Sequence, residues 1–236
     1  MAKTARERFK TYQNVLDEFT IRGLFKLITQ GHFEGLQSAL YIGKEANVFA
    51  AESKEGMVIV KIYRLETCDF NRMYDYIKYD PRYTGLKSQR RKVIFSWAQR
   101  EYRNLMKARD VIRVPKPITF LNNILVLEFI GNHELAPKVK DHYPERPADF
   151  AEKTFEFVKL LYRQGMVHGD LSEFNILNYN EGPVFIDFSQ ATMLDNPRAD
   201  EFLERDVRNM CNFFNKRLGM TLDVMTELKR IKRVKL

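Results

Sequence analysis

Cysteine is nearly absent: only Cys68 and Cys211 occur in 236 residues. Two thiols so far apart frame neither a disulfide scaffold nor a cysteine-based metal site, which points to a reducing compartment. Long apolar runs are missing as well. None approaches the length of a membrane span, and the opening Met1-Ala2-Lys3-Thr4-Ala5-Arg6 is too polar for a secretory signal. A soluble cytoplasmic protein with no membrane partner is the expectation. Glycine is sparse where phosphate loops are usually rich in it. Between Tyr41 and Ala50 only Gly43 occurs, so neither G-x-G-x-x-G nor a Walker loop is present. No internal repeat and no low-complexity stretch interrupts the chain, which excludes solenoids and repeat arrays.

The chain does have a hydrophobic share of 44%, enough for a sizeable core in one domain or in two small lobes. It also carries a net charge of +8. The positive residues gather between Arg82 and Arg109, including Arg90-Arg91-Lys92, and again from Lys229 to Lys235. Tyr74, Tyr76 and Tyr79 just before the first cluster, and Tyr83 within it, add stacking surfaces, a pattern that fits RNA or a ribonucleoprotein. Solvated helix faces produce the same basic runs. DNA is not an expected partner.

The chemistry is concentrated in His168-Gly169-Asp170-Leu171-Ser172-Glu173-Phe174-Asn175 and in Val184-Phe185-Ile186-Asp187-Phe188. An acid, an amide five positions on, and a second acid ending a short apolar strand are what protein kinases use to hold a substrate hydroxyl and the magnesium ions of ATP. Asp170 on a tight loop suits a base that takes the proton of the attacking group. Asn175 and Asp187 supply the oxygen ligands that hard Mg²⁺ prefers, with Mn²⁺ able to stand in. Gly169 permits the unusual backbone of such a loop. His168 reads as a packed, hydrogen-bonded support.

Phosphoryl transfer also needs an upstream cation. Met57-Val58-Ile59-Val60-Lys61-Ile62-Tyr63 reads as a strand with one lysine, placed to meet the α- and β-phosphates; an edge-strand lysine facing water is the plain alternative. Before it, Tyr41 to Ala50 reads as strand, turn and strand, with Gly43 and Lys44 at a phosphate-covering turn, or Lys44 simply solvated. Lys92 to Arg109 reads as a helix with Ile94, Trp97, Leu105 and Met106 on one stripe. Its only acid, Glu101, is the natural mate for Lys61, or else an ordinary surface Glu beside Arg100 and Arg103. About forty residues separate Lys61 from Glu101, and much of the interval is a polar insertion from Leu65 to Arg91.

Taken together, Gly43-Lys44-Glu45-Ala46-Asn47-Val48, Trp97-Ala98-Gln99-Arg100-Glu101 with Arg103-Asn104-Leu105, Leu127-Glu128-Phe129-Ile130-Gly131, Asp170 to Asn175 and Ile186-Asp187-Phe188-Ser189-Gln190 closely resemble the RIO family of atypical protein kinases, type-one branch. The resemblance implies an α+β fold: a trimmed, two-lobed protein-kinase-like arrangement with an antiparallel-sheet N-lobe, a helical C-lobe, an N-terminal helical extension and no activation segment. Consistent with that, Ser189 stands where a standard kinase has glycine after Asp-Phe, and no Ala-Pro-Glu follows. The resemblance further implies that Asp170 is the catalytic base and that Asn175 and Asp187 are metal ligands, with Asp187 also accepting phosphate as an aspartyl-phosphate. Glu128 and Ile130 match the hinge that holds adenine, and Leu127 matches the residue guarding the pocket behind it. Asp206 resembles a helix acid bracing the catalytic loop, or is an exposed acid beside Arg205 and Arg208. One departure is that Tyr41 and Ile42 replace the small hydroxyl residues usual before Gly43-Lys44.

The expected parts are a helical extension over 1–35, an N-lobe over 36–130 with a flexible insertion, and a C-lobe over 131–236. The implied partners are ATP with Mg²⁺, a protein serine or threonine that includes the chain itself, and the precursor of the small ribosomal subunit with its rRNA. Two other functions share these motifs. One is a small phosphotransferase of the KEOPS-associated or aminoglycoside and choline kinase kind, disfavoured by Asp187-Phe188-Ser189 and by the short chain after it. The other is a slow, mainly non-catalytic ATP-dependent module that docks RNA.

Overall fold

A computed structural model describes residues 16–80, 82–83, 85–86 and 89–233. The first fifteen residues of the expected extension, and Val234-Lys235 of the basic tail, lie outside them. The described residues form two compact units, one from those up to 102 with 116–129, the other from 103–115 with those from 130 onward.

The first unit is built on a five-stranded antiparallel sheet, β1 (Gly35–Ile42), β2 (Ala46–Ser53), β3 (Gly56–Tyr63), β4 (Pro117–Leu121) and β5 (Ile124–Glu128), in the order β1-β2-β3-β5-β4. Alternation along β3 decides what each face carries. Val58, Val60 and Ile62 join Phe49, Ala51, Ile124 and Val126 in one core cluster, closed by Leu24 and Leu27 of helix α1 (Glu18–Thr29). Ile59, Lys61 and Tyr63 therefore point to the opposite face. Helix α1 starts where Asp17 caps it, its Oδ1 accepting from Thr20 N at 2.9 Å.

The insertion after β3 was expected to be flexible; it carries a helix, α2 (Phe70–Ile77), with Met73, Tyr76 and Ile77 buried. Two of the four tyrosines expected to offer stacking surfaces, Tyr76 and Tyr83, are buried. Tyr76 packs edge-on against Trp97 of helix α3 (Arg90–Ala108) at 6.0 Å. Arg100 of α3 is fully buried, its Nε 3.5 Å from Asp80 Oδ2. Burial lowers the Arg100 guanidinium to about 10, with the Asp80 charge opposing. Of the stripe expected on α3, Ile94, Trp97 and Leu105 are buried, whereas Met106 is exposed.

The second unit holds helices α4 (Pro147–Arg163), α5 (Ala199–Leu218) and α6 (Val224–Lys232) and two small antiparallel pairs, β6 (Met166–Val167) with β9 (Thr192–Met193), and β7 (Ile176–Tyr179) with β8 (Gly182–Phe185). The β7–β8 turn has Asn180 and Glu181 both at positive φ, 50° and 58°, as a tight two-residue hairpin requires. Phe155 of α4 packs on Phe214 of α5 at 6.0 Å, and Phe157 packs edge-on against Phe185 at 5.6 Å. This core fixes the two loops that flank β7–β8, which carry Asp170, Asn175 and Asp187.

Candidate active site

Lys61 and Tyr63, two residues apart on β3, project from one face of the sheet. Lys61 Nζ donates to Glu101 Oε1 at 2.9 Å, and the Tyr63 hydroxyl donates to Glu101 Oε2. All three residues are buried. The lysine is therefore no edge residue facing water and the glutamate no surface acid. β3 lies inside the sheet with Lys61 opposite Val48 on one side and Leu125 on the other. Tyr63 was not singled out from the sequence, although its two-residue spacing from Lys61 on a strand places both on one face.

The turn expected to cover phosphate joins β1 to β2 through Gly43, with Gly43 N donating to Ala46 O at 3.0 Å. Its carbonyls are engaged from the start of the insertion. Arg64 reaches Gly43 O at 3.4 Å, Thr67 Oγ1 donates to Lys44 O at 2.8 Å, and Arg64 N and Cys68 Sγ donate to Glu45 O at 2.9 and 3.0 Å. With the Gly43 N–H given to Ala46 O, an anion at this turn would have to meet the N–H of Lys44 or beyond. Tyr41 and Ile42 are exposed, and the Tyr41 ring lies over Gly43 so closely that a Cβ there would meet it at 2.5 Å. Lys44 is exposed as well.

In the second unit Gly169 takes φ 77°, and a Cβ there would stand 3.0 Å from Gln190 O; both facts demand glycine. The loop it starts is held from behind. Asp206 of α5 is 1% exposed, and its carboxylate accepts from Gly169 N at 2.7 Å and Leu171 N at 2.9 Å. Burial raises this carboxyl to about 7, against the pull of the two N–H groups and the Arg205 charge. Arg205 donates to Gly169 O, and Asn209 Nδ2 to Leu171 O at 3.1 Å. Asp206 is thus the buried brace, not the exposed acid. His168 is buried too. Its Nδ1 accepts from Asp170 N at 3.3 Å and its Nε2–H donates to Ile186 O at 3.1 Å, which fixes a neutral tautomer in a supporting role.

Asp170 itself is half-buried, and Asn175 Nδ2 donates to its carbonyl at 2.8 Å and to its Oδ2 at 3.3 Å. That bond turns the Asn175 Oδ1 away from Asp170. Asn175 O in turn accepts from Ile186 N at 3.0 Å, so the amide and the strand leading into Asp187 are tied together. Asp187 adopts φ 62°, uncommon for a residue with a side chain, and its Oδ1 accepts from Ser189 Oγ at 2.7 Å. An amide oxygen and a carboxylate make a hard oxygen set that suits Mg²⁺ once phosphate oxygens complete it. Among the described residues no cluster of three or more His, Cys, Asp or Glu forms a metal site by itself. Of the hinge pair, Glu128 N donates to Lys116 O and its Oε2 accepts from Lys116 N, both at 2.9 Å, while Ile130 O accepts from Ala136 N at 2.8 Å.

A buried Lys–Glu pair on sheet and helix, a braced acid followed by an amide, and an acid after a short strand define a protein-kinase-like phosphotransferase. Comparison with known proteins narrows this. The RIO domain model matches residues 47–227. The RIO-type serine/threonine-protein kinase Rio1 of Methanocaldococcus jannaschii is 41% identical, and that of Haloferax volcanii 39%, each over 213 residues, covering 89% of this chain and 73% of the relative. Two crystal structures of the Rio2 kinase from Chaetomium thermophilum superpose with TM-score 0.69 at 23% and 24% identity, over 90% of this chain and 66% and 67% of theirs. One of them is an ADP/Mg²⁺-phosphoaspartate complex. The chain belongs to the RIO family of serine/threonine kinases, on its Rio1 branch. Its fold is the α+β kinase-like fold expected, with an antiparallel-sheet unit followed by a helical one.

Proposed function

We propose that this kinase uses ATP with Mg²⁺ and acts as an ATPase switch and serine/threonine autokinase in maturation of the small ribosomal subunit, in the cytoplasm. The observation that carries the phosphoryl-transfer part is the braced loop. Asp206 and His168 fix the backbone around Asp170, and Asn175 is bonded both to Asp170 and to the strand entering Asp187. In this reading Lys61, steadied by Glu101, meets the α- and β-phosphates, and the turn that Gly43 shapes offers phosphate the N–H of Lys44. Backbone groups of Glu128 and Ile130 take adenine. Asn175 and Asp187 hold Mg²⁺, which screens the phosphate charge. Asp170 accepts the proton of the attacking hydroxyl or water. Catalysis then rests on positioning and charge stabilisation.

Asp187 is also the nucleophile of the switch. Its carboxylate oxygen forms a bond to the γ-phosphorus as the bond to the β,γ-bridging oxygen breaks, ADP leaves with that electron pair, and water later hydrolyses the acyl phosphate. The phosphoaspartate of the Chaetomium thermophilum Rio2 complex supports this reading. The ribosomal part rests on the net charge of +8 and its clustering. The test incubates the protein with γ-labelled ATP and Mg²⁺, with and without small-subunit precursors. Precursor-stimulated free phosphate with a base-labile label on Asp187 is expected; label on a small molecule, with no effect of the precursor, overturns it.

A further inference from the structure

Asn104 is fully buried on α3. Its Nδ2 donates to Phe188 O at 3.0 Å and to Ala191 O at 2.9 Å. Those carbonyls belong to the two ends of one turn, which closes with Ala191 N donating to Phe188 O at 3.2 Å. A single side-chain amide thus fastens the whole Phe188–Ala191 turn, which begins at the residue after Asp187.

The rest of that loop is equally constrained. Phe188 is fully buried with its ring 4.7 Å from the His168 ring. Ser189 bonds back to Asp187 Oδ1, and Asp187 sits at φ 62°. In standard kinases glycine follows Asp-Phe, and the packing of the Phe separates active from inactive states. Here a residue with a side chain takes the glycine position, and the carbonyls that would have to move are bonded. A non-glycine residue at positive φ persists only where its surroundings over-determine it, and Asn104 is a donor that meets this loop from outside it.

We propose that Asn104 is a positioning residue that holds the Asp187 loop permanently in its metal-competent conformation, so that the Mg²⁺ site is preformed and not assembled on activation. The proposal rests on the assignment of Asp187 as a metal ligand under Proposed function. If the competent conformation is populated only in part, apparent affinity falls by that fraction. Loss of the amide therefore weakens the metal-dependent part of nucleotide binding and spares the metal-independent part.

The experiment is calorimetric titration of the full chain with ADP across a series of MgCl₂ concentrations, for wild type, Asn104→Leu, Asn104→Ser and Leu105→Ala. The last replaces a buried neighbour on the same helix and controls for destabilisation. Asn104→Leu is expected to raise the MgCl₂ midpoint at least fivefold while ADP affinity without metal stays within twofold. Asn104→Ser, which keeps a smaller donor, falls between it and wild type; it takes the place of Asn104→Leu if the latter does not fold. A midpoint within twofold of wild type, or an equal rise in Leu105→Ala, overturns the proposal. Wild-type ADP binding that is indifferent to MgCl₂ instead overturns the assignment of Asp187 itself.

Discussion

The Glu101 carboxylate shares its two oxygens between a cation and a phenol, and that division can be measured. Its side chain is 1% exposed and that of Lys61 10%, so neither bond competes with bulk water. A hydrogen bond to a charged acceptor contributes about 1.5–3 kcal/mol. Tyr63→Phe removes the bond and almost nothing else, so it should destabilise the first unit by about that amount. Glu101→Gln leaves the buried Lys61 without its counter-charge and should cost more, about 3–5 kcal/mol. In the double variant the phenol has no anion left to lose, so the two costs should fall short of additivity by about 1–2 kcal/mol. Trp97, the single tryptophan of the chain, is buried on α3 one turn before Glu101. Urea unfolding followed by its fluorescence therefore reports on the unit that contains the triad. Additivity within about 0.5 kcal/mol would refute the claim that Tyr63 acts on Glu101, whatever the cost of the single variants.

Asp170→Ala should leave ATP binding nearly intact and lower turnover at least tenfold, whereas Asp187→Ala should weaken Mg²⁺-dependent nucleotide binding; equal turnover in wild type and Asp170→Ala sinks the base assignment. Asp206 gives a pH signature. Burial lifts its folded value from 3.8 to about 7, so its contribution to stability is complete below about 4 and is lost as pH rises through 7. Between pH 5 and 8 that amounts to about 3 kcal/mol. Asp206→Asn should flatten this part of the urea-midpoint profile, and an unchanged slope would show that the carboxyl stays ionised throughout. Gly43→Ala places a methyl 2.5 Å from the Tyr41 ring and 2.9 Å from Ala46 O and should cost about 1–3 kcal/mol. In a Tyr41→Ser background only the clash with Ala46 O remains, so the cost measured by urea unfolding should drop; an equal cost in both backgrounds would show that the ring yields freely.

What could be read from the chain alone was what local chemistry imposes. The β-branched run around Lys61 and the periodicity around Glu101 placed their elements to within two residues, because strand and helix periods are written in consecutive positions. The loop from Asp170 to Asn175 was legible because its acid, amide and glycine recur at fixed spacing. The helix within the insertion was not legible, for the opposite reason. Its polar composition hides Met73, Tyr76 and Ile77, and a polar stretch reads as loop until the surface it packs on is known. Arg100 reads as one more surface cation in a basic run, yet it is fully buried, because the acid it needs, Asp80, lies twenty residues away in sequence.

The same distinction separates the groups that do the chemistry from those that aim them. Asp170, Asn175 and Asp187 sit within one short stretch, so their spacing is itself the signal. Asp206 and Asn104 reach the same loops from 35 to 87 residues away in sequence, so the family resemblance could mark them but no local spacing showed what either one holds. Both are buried polar side chains bonded to backbone beside the catalytic residues: Asp206 accepts from the N–H groups on either side of Asp170, and Asn104 donates to two carbonyls that follow Asp187. A buried polar group costs stability unless it is bonded, so each is tolerable only where the loop presents matching backbone groups in one arrangement. The rigidity of the loops and the burial of their braces are therefore a single condition, and a variant that relaxes one must show the loss in the other.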